Sequence, residues 1–405
     1  MLRTAGGQAC CHGFQTEDTG RKKEMGKNFI LTILATTAAV SAIDMLIPVL
    51  PVYFLGISGN PAVMGLLIGI TSFSAVLFRP AAHYFLSRTG MKRAVAGGAL
   101  VFACVILCYP FYGSFVPIIL LRISFGIAIV FFFVAAWSLI ASMVPAEKRS
   151  VALSVYTVSF LSPNFYAPWI GSHLPGSTPY VISACLAAVS FLVCLFIREP
   201  ETLCEDRHGF WKTLRHKDLF LPGLIMFSVI VADASVTVFL PVVAMRRNIA
   251  GYTLFFTFFS VSTIATRLYF GRICTAGNRH ILLITGMVLT LLSFIAVGAA
   301  YALEAVAAAG ALYGAGFGLI DPNLYTVIIE KRKDFSITQI MAGYGGFWDF
   351  GYAAGPLIMG VMLKNFGEHG LYAAAAASVF AGLAVSFIYM GRGENVELQK
   401  RCVVN

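Results

Sequence analysis

The sequence predicts an all-α polytopic membrane protein with twelve transmembrane helices in two pseudo-symmetric six-helix bundles. Three observations favour this fold class: the apolar composition, the spacing of the apolar segments, and a repeat between the two halves. Hydrophobic residues make up 58% of the 405 residues and charged residues only 12%, whereas soluble domains average about 25% charged residues. The mean hydropathy of +0.81 agrees, so a water-soluble globular protein is excluded.

The apolar segments are each long enough to cross a bilayer as a helix, which needs about 20 residues. Short polar connections separate them, and the least distinct break lies at "YALEA" around Glu304. The predicted spans are 27–54, 62–86, 94–113, 116–144, 149–174, 178–198, 218–245, 251–273, 279–300, 302–329, 336–364 and 369–391.

Basic residues are distributed unevenly around these spans. With a cytoplasmic N-terminus, 23 Lys and Arg residues lie on the cytoplasmic side, three lie within helices, and only Arg246, Arg247 and Lys364 lie outside. This is the positive-inside pattern. The net charge of +10 therefore reflects membrane topology rather than nucleic-acid binding. The positive-inside pattern predicts a protein of the plasma membrane, here the bacterial inner membrane, with both termini in the cytoplasm.

The chain divides at its most charged stretch, 199–217, which is predicted to be a cytoplasmic linker. The predicted bundles, 26–198 and 218–392, lie on either side of it, and the predicted cytoplasmic tails are 1–25 and 393–405. Residues before the first span lack an apolar segment followed by a small-residue cleavage site, so no cleavable signal peptide is expected.

The two halves repeat at an offset near 188 residues. The matching positions are Asp44 and Asp233, Arg79 and Arg267, and Ala167-Pro168 and Gly355-Pro356. Two repeated six-helix bundles are typical of secondary transporters, which bind substrate near the midplane between the repeats.

Several motifs connect this architecture with a known family. The segment "HYFLSRTGMKR" (83–93) resembles the G-x-L-x-D-R-x-G-R-K loop of the major facilitator superfamily. "RISFG" (122–126) is similar to the family's R-x-x-x-G element, and "APWIG" (167–171) and "GYAAGPLIMG" (351–360) resemble its G-P-x-x-G antiporter element. The loop matches at Arg88, Gly90, Lys92 and Arg93, and it departs at His83, Ser87 and Met91, where the family has Gly, Asp and Arg.

The resemblance extends over the chain from Met25 and implies transport by alternating access. It places a cytoplasmic gate at the loop and at Arg79, and its antiporter element implies export. Small residues four apart let helix backbones approach closely, and a proline can bend a helix. The resemblance implies that helix 11 packs closely on a neighbour in its own bundle and flexes during rocking. Plain packing with no bearing on transport direction is the alternative. The element comprises Ala167, Pro168, Gly171, Gly351, Gly355, Pro356 and Gly360.

Ionisable residues inside a membrane usually face a cavity or a partner. Depth places Asp44 of the first helix and Arg122 of the fourth at similar levels. An Asp beside an Arg stays ionised and separation favours its protonation, so this pair is hypothesised to couple transport to protons. Asp233 is a further coupling candidate, or it faces substrate. The alternatives are a static ion pair and an Arg122 that is satisfied by backbone carbonyls.

Other polar residues within the spans are candidates for gating or substrate contact. Arg267 and Asp321 are expected to form a structural or gating pair near the cytoplasmic ends of helices 8 and 10. Asp349 is expected either to face substrate or to pair with a gate arginine. Binding pockets place a few polar groups in an apolar wall, and the remaining cavity candidates are Trp137, Tyr156, Asn164, Asn323 and Trp348.

The leading hypothesis is proton-coupled export of a small organic compound, either polar or hydrophobic. The chain has no phosphate-binding G-x-x-x-x-G-K-[ST], no HExxH or GxSxG, and no CxxC among its nine cysteines, so no enzyme, cofactor or metal site is expected. The expected partners are the lipid bilayer, a small-molecule substrate and protons, and the chain is expected to be a monomer. The alternatives are a proton-linked uptake symporter and a non-transporting receptor or scaffold, which the short linker disfavours.

Overall fold

The computed structural model describes residues 7–144, 149–198, 216–274, 278–331 and 337–404. Within these residues every long regular element is an α-helix. The predicted linker lies outside the described residues except for its last two positions.

Fourteen helices follow one another along the described chain. They are α1 (Gly7–Asp44), α2 (Val49–Ser58), α3 (Pro61–Thr89), α4 (Met91–Cys108), α5 (Phe115–Ser142), α6 (Arg149–Leu161), α7 (Pro163–His173), α8 (Thr178–Leu195), α9 (Lys217–Thr237), α10 (Leu240–Arg246), α11 (Leu254–Ile273), α12 (Arg279–Ala299), α13 (Leu303–Lys331) and α14 (Ile337–Val404).

Nine helical stretches among the described residues are long and apolar enough to cross a membrane. One of them, Gly343–Tyr389, contains the last two predicted spans, because α14 is interrupted at Gly367, where φ is 68°. The shorter apolar stretch Leu254–Phe270 and the pair α6 and α7 match two further predicted spans. The arrangement is consistent with the twelve predicted crossings.

Three spans that were predicted as single helices are each broken in two. The breaks separate α1 from α2, α6 from α7, and α9 from α10. Pro48, Pro163 and Pro241 lie at the start of the second piece in each case. Proline lacks the backbone N–H that a continuing helix needs, and it suits the first turn of a new one. The breaks in the first and seventh spans follow closely after Asp44 and Asp233.

The two terminal helices extend into the stretches that were predicted to be tails. Helix α1 begins at Gly7 rather than near residue 27, and α14 continues to Val404. Neither stretch contains a proline, and lengthening an existing helix avoids the cost of nucleating a new one.

The bundles meet along a seam between helices of the two halves. Helix α3 packs along α14, α7 packs on α11, and α2 contacts α10, with smaller contacts of α5 with α14 and of α6 with α11. Each pair joins one helix from α1–α8 with one from α9–α14, so these contacts are where the two halves must part if the bundles move.

Equivalent contacts recur in both bundles at the expected offset. A Cβ at Gly98 of α4 would lie 3.1 Å from the Ala128 carbonyl oxygen of α5. A Cβ at Gly286 of α12 would lie 2.9 Å from the Gly316 carbonyl oxygen of α13. Both residues of the second contact are displaced by 188 positions from those of the first, which supports the internal repeat.

Candidate functional site

One face of α14 packs closely against α9 in the same bundle. A Cβ at Gly351 would lie 2.7 Å from the Ile230 Cβ, and a Cβ at Gly355 would lie 2.9 Å from the Ala234 Cβ. These distances are shorter than ordinary carbon contacts, so the two glycines allow the helices to approach. The spacing predicted a close approach of helix backbones here, without naming the partner helix.

The opposite face of α14 forms part of the seam. The carbonyl oxygens of Pro356 and Ala353 lie directly against Gly65 and Gly69 of α3. Glycines therefore allow α14 to pack closely on two sides, against α9 in its own bundle and against α3 in the other bundle.

The remaining residues of the antiporter-like elements are also packed. Gly360 lies against the first turn of α3, and Gly171 of α7 lies against the carbonyl oxygen of Met45 in the break of the first span. Ala167 and Pro168 are buried in α7.

Two ion pairs lie towards the predicted cytoplasmic ends of the spans. Arg79 of α3 donates from Nε to Oδ2 of Asp349 on α14 at 2.7 Å, across the seam. Arg267 of α11 pairs with Asp321 of α13 at 2.6 Å, and Tyr344 donates to the same carboxylate at 3.3 Å. Asp349 thus has a gate arginine as its partner, which was one of its two expected roles.

The loop between the second and third spans turns at Gly90, where φ is 90°. A residue with a side chain rarely adopts this backbone conformation, which explains the glycine. Arg88 and Arg93 are exposed, and Lys92 is half-buried. The side chain of His83 lies outside the described residues.

The expected pair of Asp44 and Arg122 is not formed in the structure. Arg122 donates to the carbonyl oxygens of Leu67 and Ile68 on α3 at 3.0 Å each, and to the Tyr109 hydroxyl at 3.4 Å. Backbone carbonyls therefore satisfy the guanidinium, as one of the alternatives proposed. Matching depth did not establish that the two side chains face each other.

Asp44 and Asp233 are instead equivalent carboxylates in the two bundles. Each is 6% exposed. Asn164 of α7 donates to Asp44 at 2.9 Å, and Tyr352 of α14 lies close to Asp233. Asn164 and Tyr352 are themselves 188 positions apart, so each carboxylate and a polar neighbour recur together in the two bundles.

Asp233 has two hydroxyl donors. Thr237, one turn along α9, donates to Oδ2 at 2.7 Å, and Tyr313 of α13 donates to Oδ1 at 2.8 Å. The sequence analysis did not identify these residues or Tyr352. The repeat offset, which maps Asn164 onto Tyr352, was the signal that could have found Tyr352.

The cavity candidates fall into different surroundings. Tyr156 is fully buried beside Thr36, 3.2 Å between hydroxyls, and its ring packs edge-on against Trp137 at 4.6 Å. Asn323 donates to the Arg279 carbonyl at 2.6 Å. This bond ties α13 to the start of α12, so the described role of Asn323 is in helix packing.

Trp348 lies in a run of aromatic side chains next to Asp233. Its ring centroid is 5.6 Å from that of Phe317 and 6.3 Å from that of Tyr352. Phe317 in turn lies 5.9 Å from Tyr313, which stacks on Phe259 at 4.9 Å. Phe259, Trp348 and Tyr352 are the partly exposed members. We call these five residues the aromatic wall.

The family model described as Major Facilitator Superfamily matches residues 32–275 and 248–401. The chain belongs to the Major Facilitator Superfamily. Membership agrees with the internal repeat, with the close packing of α14 on α3, and with the ion pair of Arg79 and Asp349 across the seam. It makes the chain a multi-pass membrane transporter.

Relatives within the Major Facilitator Superfamily are distant but cover most of both chains. The chain is 20% identical to the "Staphylopine export protein" of Staphylococcus aureus, over 91% of this chain and 97% of the relative. It is 24% identical to "Multidrug resistance protein MdtG" of Dickeya zeae, over 92% and 96%. It is 22% identical to "Multi-drug resistance efflux pump PmrA" of Streptococcus pneumoniae, over 84% and 90%.

A solved structure of the superfamily has the same fold. The human organic anion transporter MFSD10 superposes with a TM-score of 0.68 at 15% identity, covering 89% of this chain and 99% of that one. At this identity the likeness concerns the fold alone.

The seam of this superfamily member also contains two hydroxyl-to-backbone hydrogen bonds. Thr257 and Ser260 of α11 donate to the carbonyl oxygens of Phe165 and Leu161 at 2.9 Å and 2.7 Å. Both acceptors flank the break between α6 and α7. The two side chains therefore join the bundles where the fifth span is interrupted.

Proposed function

We propose that the protein exports a small organic compound in exchange for protons. The observation that supports this most directly is the pair of buried carboxylates, Asp44 and Asp233, next to the breaks in the first and seventh spans. All the hydrogen-bond donors described for them are neutral: one amide for Asp44 and two hydroxyls for Asp233. A buried carboxylate without a basic partner is costly in its charged form, so it favours binding a proton or a cation.

Asp44 is the proposed proton carrier. It is the last residue of α1 and has a single described donor, Asn164, so its charged form is the less stabilised of the two. Broken helices at the midplane are where secondary transporters bind coupling ions. Export is supported by the antiporter-like element of α14 and by the printed functions of the relatives, which are named for export or efflux.

The proposed transport cycle is a rocking of bundles 26–198 and 218–392 about the seam. The ion pair of Arg79 and Asp349 closes the seam on the cytoplasmic side, and the hydroxyls of Thr257 and Ser260 close it on the outer side. We place the protein in the bacterial inner membrane as a monomer with both termini in the cytoplasm, as the positive-inside pattern predicts.

The test uses purified full-length protein in liposomes with an acidic lumen and an enclosed pH dye. Lipophilic cations, zwitterionic amino-acid derivatives and neutral metabolites are added outside in turn. An exporter inserted with its cytoplasmic face outward takes up its substrate and releases lumenal protons. Substrate uptake that carries protons in the same direction would establish the symporter instead. Asp218→Asn, at the start of α9, is the control for loss of a carboxylate outside the seam.

A further inference from the structure

One arginine holds the outer end of the C-terminal bundle together. Arg247 is the C-cap residue of α10, the second piece of the seventh span, and it pairs with Glu368 at 2.7 Å. Its guanidinium also donates to the carbonyl oxygens of Val297, Gly298 and Ala300, at 3.1 Å, 3.0 Å and 2.5 Å. These bonds join α10 to the end of α12 and to the second part of α14.

The N-terminal bundle has a glycine in place of this arginine. Gly59 is the C-cap residue of α2, the second piece of the first span, and it lies 188 positions before Arg247. Tyr53 of α2 supplies part of the contact, because its hydroxyl donates to the carbonyl oxygens of Tyr109, at 2.9 Å, and Tyr112. Both carbonyls lie 188 positions before ones that Arg247 binds. A hydroxyl has one hydrogen, so α2 is held less firmly than α10.

The other two counterparts of the Arg247 contacts line a pocket. Pro110 and Tyr180 lie 188 positions before Gly298 and Glu368. Both border a pocket of about 340 Å³ between α2, the turn after α4 and the turn before α8. Pockets that bind small ligands begin at about 300 Å³. The space that a guanidinium and a carboxylate fill in the C-terminal bundle is therefore large enough for a ligand in the N-terminal bundle.

Tyr180 gives this pocket a polar group. The residue is 4% exposed, and its ring packs against those of Tyr53 and Tyr109 with centroids 6.0 Å and 6.4 Å away. Its hydroxyl makes no hydrogen bond within the part of the chain that the structure describes. Buried tyrosine hydroxyls usually have a partner, so a ligand that accepts a hydrogen bond from Tyr180 would be stabilised in the pocket.

The walls and the surroundings of the pocket indicate what kind of ligand fits. Val49 and Val52 of α2 make its walls apolar, and none of its lining residues is charged. Phe111 and Val181, which follow two lining residues in the chain, are exposed. Exposed apolar side chains at the ends of membrane spans face lipid. The pocket is therefore continuous with the lipid-facing surface, and it suits a neutral acceptor with an apolar chain.

We propose that this pocket binds a phospholipid of the outer leaflet. The carbonyl of an ester-linked chain accepts the hydrogen bond of Tyr180, and the start of the chain lies against Val49 and Val52. Tyrosines are enriched at the membrane–water interface, which is the level of the lipid esters. The bound lipid takes the structural place of Arg247 and Glu368 and braces α2 against the ends of α4 and α8. The inference concerns the N-terminal bundle alone and does not depend on the proposed transport function.

The test compares two phosphatidylglycerols with the same headgroup and chain length. One has ester-linked chains, and the other has ether-linked chains, which lack the carbonyl acceptor. Each is titrated into detergent-purified full-length protein, and bound lipid is counted by native mass spectrometry. The wild type should bind the ester lipid about fivefold more tightly at its tightest site, as expected for one hydrogen bond. Tyr180→Phe, which removes only the hydroxyl, should bind the two lipids equally.

Two further variants locate the effect in the pocket. Tyr269→Phe is the matched control, because it removes the hydroxyl of an exposed tyrosine on α11, and it should retain the ester preference. Val52→Phe fills the pocket from the side of α2, and it should weaken binding of both lipids and abolish the preference. Size-exclusion profiles check folding of each variant. If either Tyr180→Phe or Val52→Phe does not fold, the other still tests the pocket.

Three results would overturn the inference. They are equal binding of the two lipids by the wild type, an unchanged ester preference in Tyr180→Phe or Val52→Phe, and loss of the preference in Tyr269→Phe. Thermal unfolding provides a second readout. The ester lipid should raise the Tm of the wild type more than the ether lipid does, and this difference should disappear in Tyr180→Phe. Proton release in liposomes tests the transport proposal separately, so failure of either idea leaves the other standing.

Discussion

The hydroxyl of Ser260 on α11 donates a hydrogen bond of 2.7 Å to the backbone carbonyl of Leu161, the last residue of α6. In a continuous helix that carbonyl would accept from the N–H of Phe165, but here Phe165 donates to Ser162. The helix break thus frees an acceptor within the membrane, and the other bundle supplies its donor. Thr257 adds a second bond of this kind, to Phe165.

Removing both hydroxyls should favour opening of the outer side. The double variant Ser260→Ala and Thr257→Val is expected to shift the equilibrium by about 1 kcal/mol, or roughly fivefold, since hydrogen bonds between membrane helices average about 0.6 kcal/mol. Spin labels at Ile57 of α2 and Met245 of α10, in a background without native cysteines, would report a larger population of long distances.

Ser293→Ala is the control for this experiment. Its hydroxyl donates to Ala309 within one bundle, so its loss should leave the distance distribution unchanged. If the double variant and the control give the same distribution, the seam hydroxyls do not hold the outer side closed.

Exchanging the charges of Arg79 and Asp349 should rescue transport. Each side chain is mostly buried, with 12% and 15% exposed, and removing one partner leaves an uncompensated charge. We therefore expect Arg79→Ala and Asp349→Ala each to impair substrate uptake in liposomes. The exchange Arg79→Asp with Asp349→Arg should recover much of it. No recovery, with normal amounts of folded protein, would show that the two residues do not act through their pairing.

Two glycines in the N-terminal bundle should respond oppositely to the same substitution. Gly65→Ala places a methyl group on the carbonyl oxygen of Pro356, whereas Gly97 has nothing within 4 Å of an added Cβ. Gly65→Ala should cost about 1 to 3 kcal/mol through overpacking. Gly97→Ala should be neutral or slightly stabilising, because alanine favours helices. Thermal unfolding in detergent checks both, and equal melting temperatures would argue against a close seam at Gly65.

Arg247 is predicted to stabilise the outer rim of the C-terminal bundle. It pairs with Glu368 at 2.7 Å and donates to the carbonyls of Val297 and Gly298 at 3.1 Å and 3.0 Å. Arg247→Ala leaves Glu368 without this partner and should cost about 3 to 5 kcal/mol. The neighbouring exposed residue provides the control, Arg246→Ala, which should change little. Titration with a denaturing detergent would measure both, and a similar loss in the two variants would contradict the assignment.

Hydropathy and the positive-inside pattern were enough to predict the spans, because the bilayer imposes a length and a polarity on each helix. The breaks were not predictable in the same way. A proline inside an apolar stretch can bend a helix or begin a new one, and the choice at Pro48, Pro163 and Pro241 depends on neighbouring helices.

The site was predictable in part. The pairing of Arg267 with Asp321 followed from depth along the membrane normal, but depth does not specify the direction in which a side chain points around its helix. For that reason the predicted contact of Arg122 with Asp44 was wrong. Two of the three acceptors of Arg122 are backbone carbonyls, which no residue pattern marks. The repeat offset relates Asn164 to Tyr352, but only the structure shows that each of them lies beside a buried carboxylate.

The most direct test of proton-coupled export is proton release from acidic-lumen liposomes on addition of a transported compound, compared between wild type and Asp44→Asn. The account predicts that the wild type raises the lumenal pH as it takes up the compound. It predicts that Asp44→Asn, though folded and inserted, does not. Proton release by Asp44→Asn at the wild-type rate, for the same compound, would contradict the account.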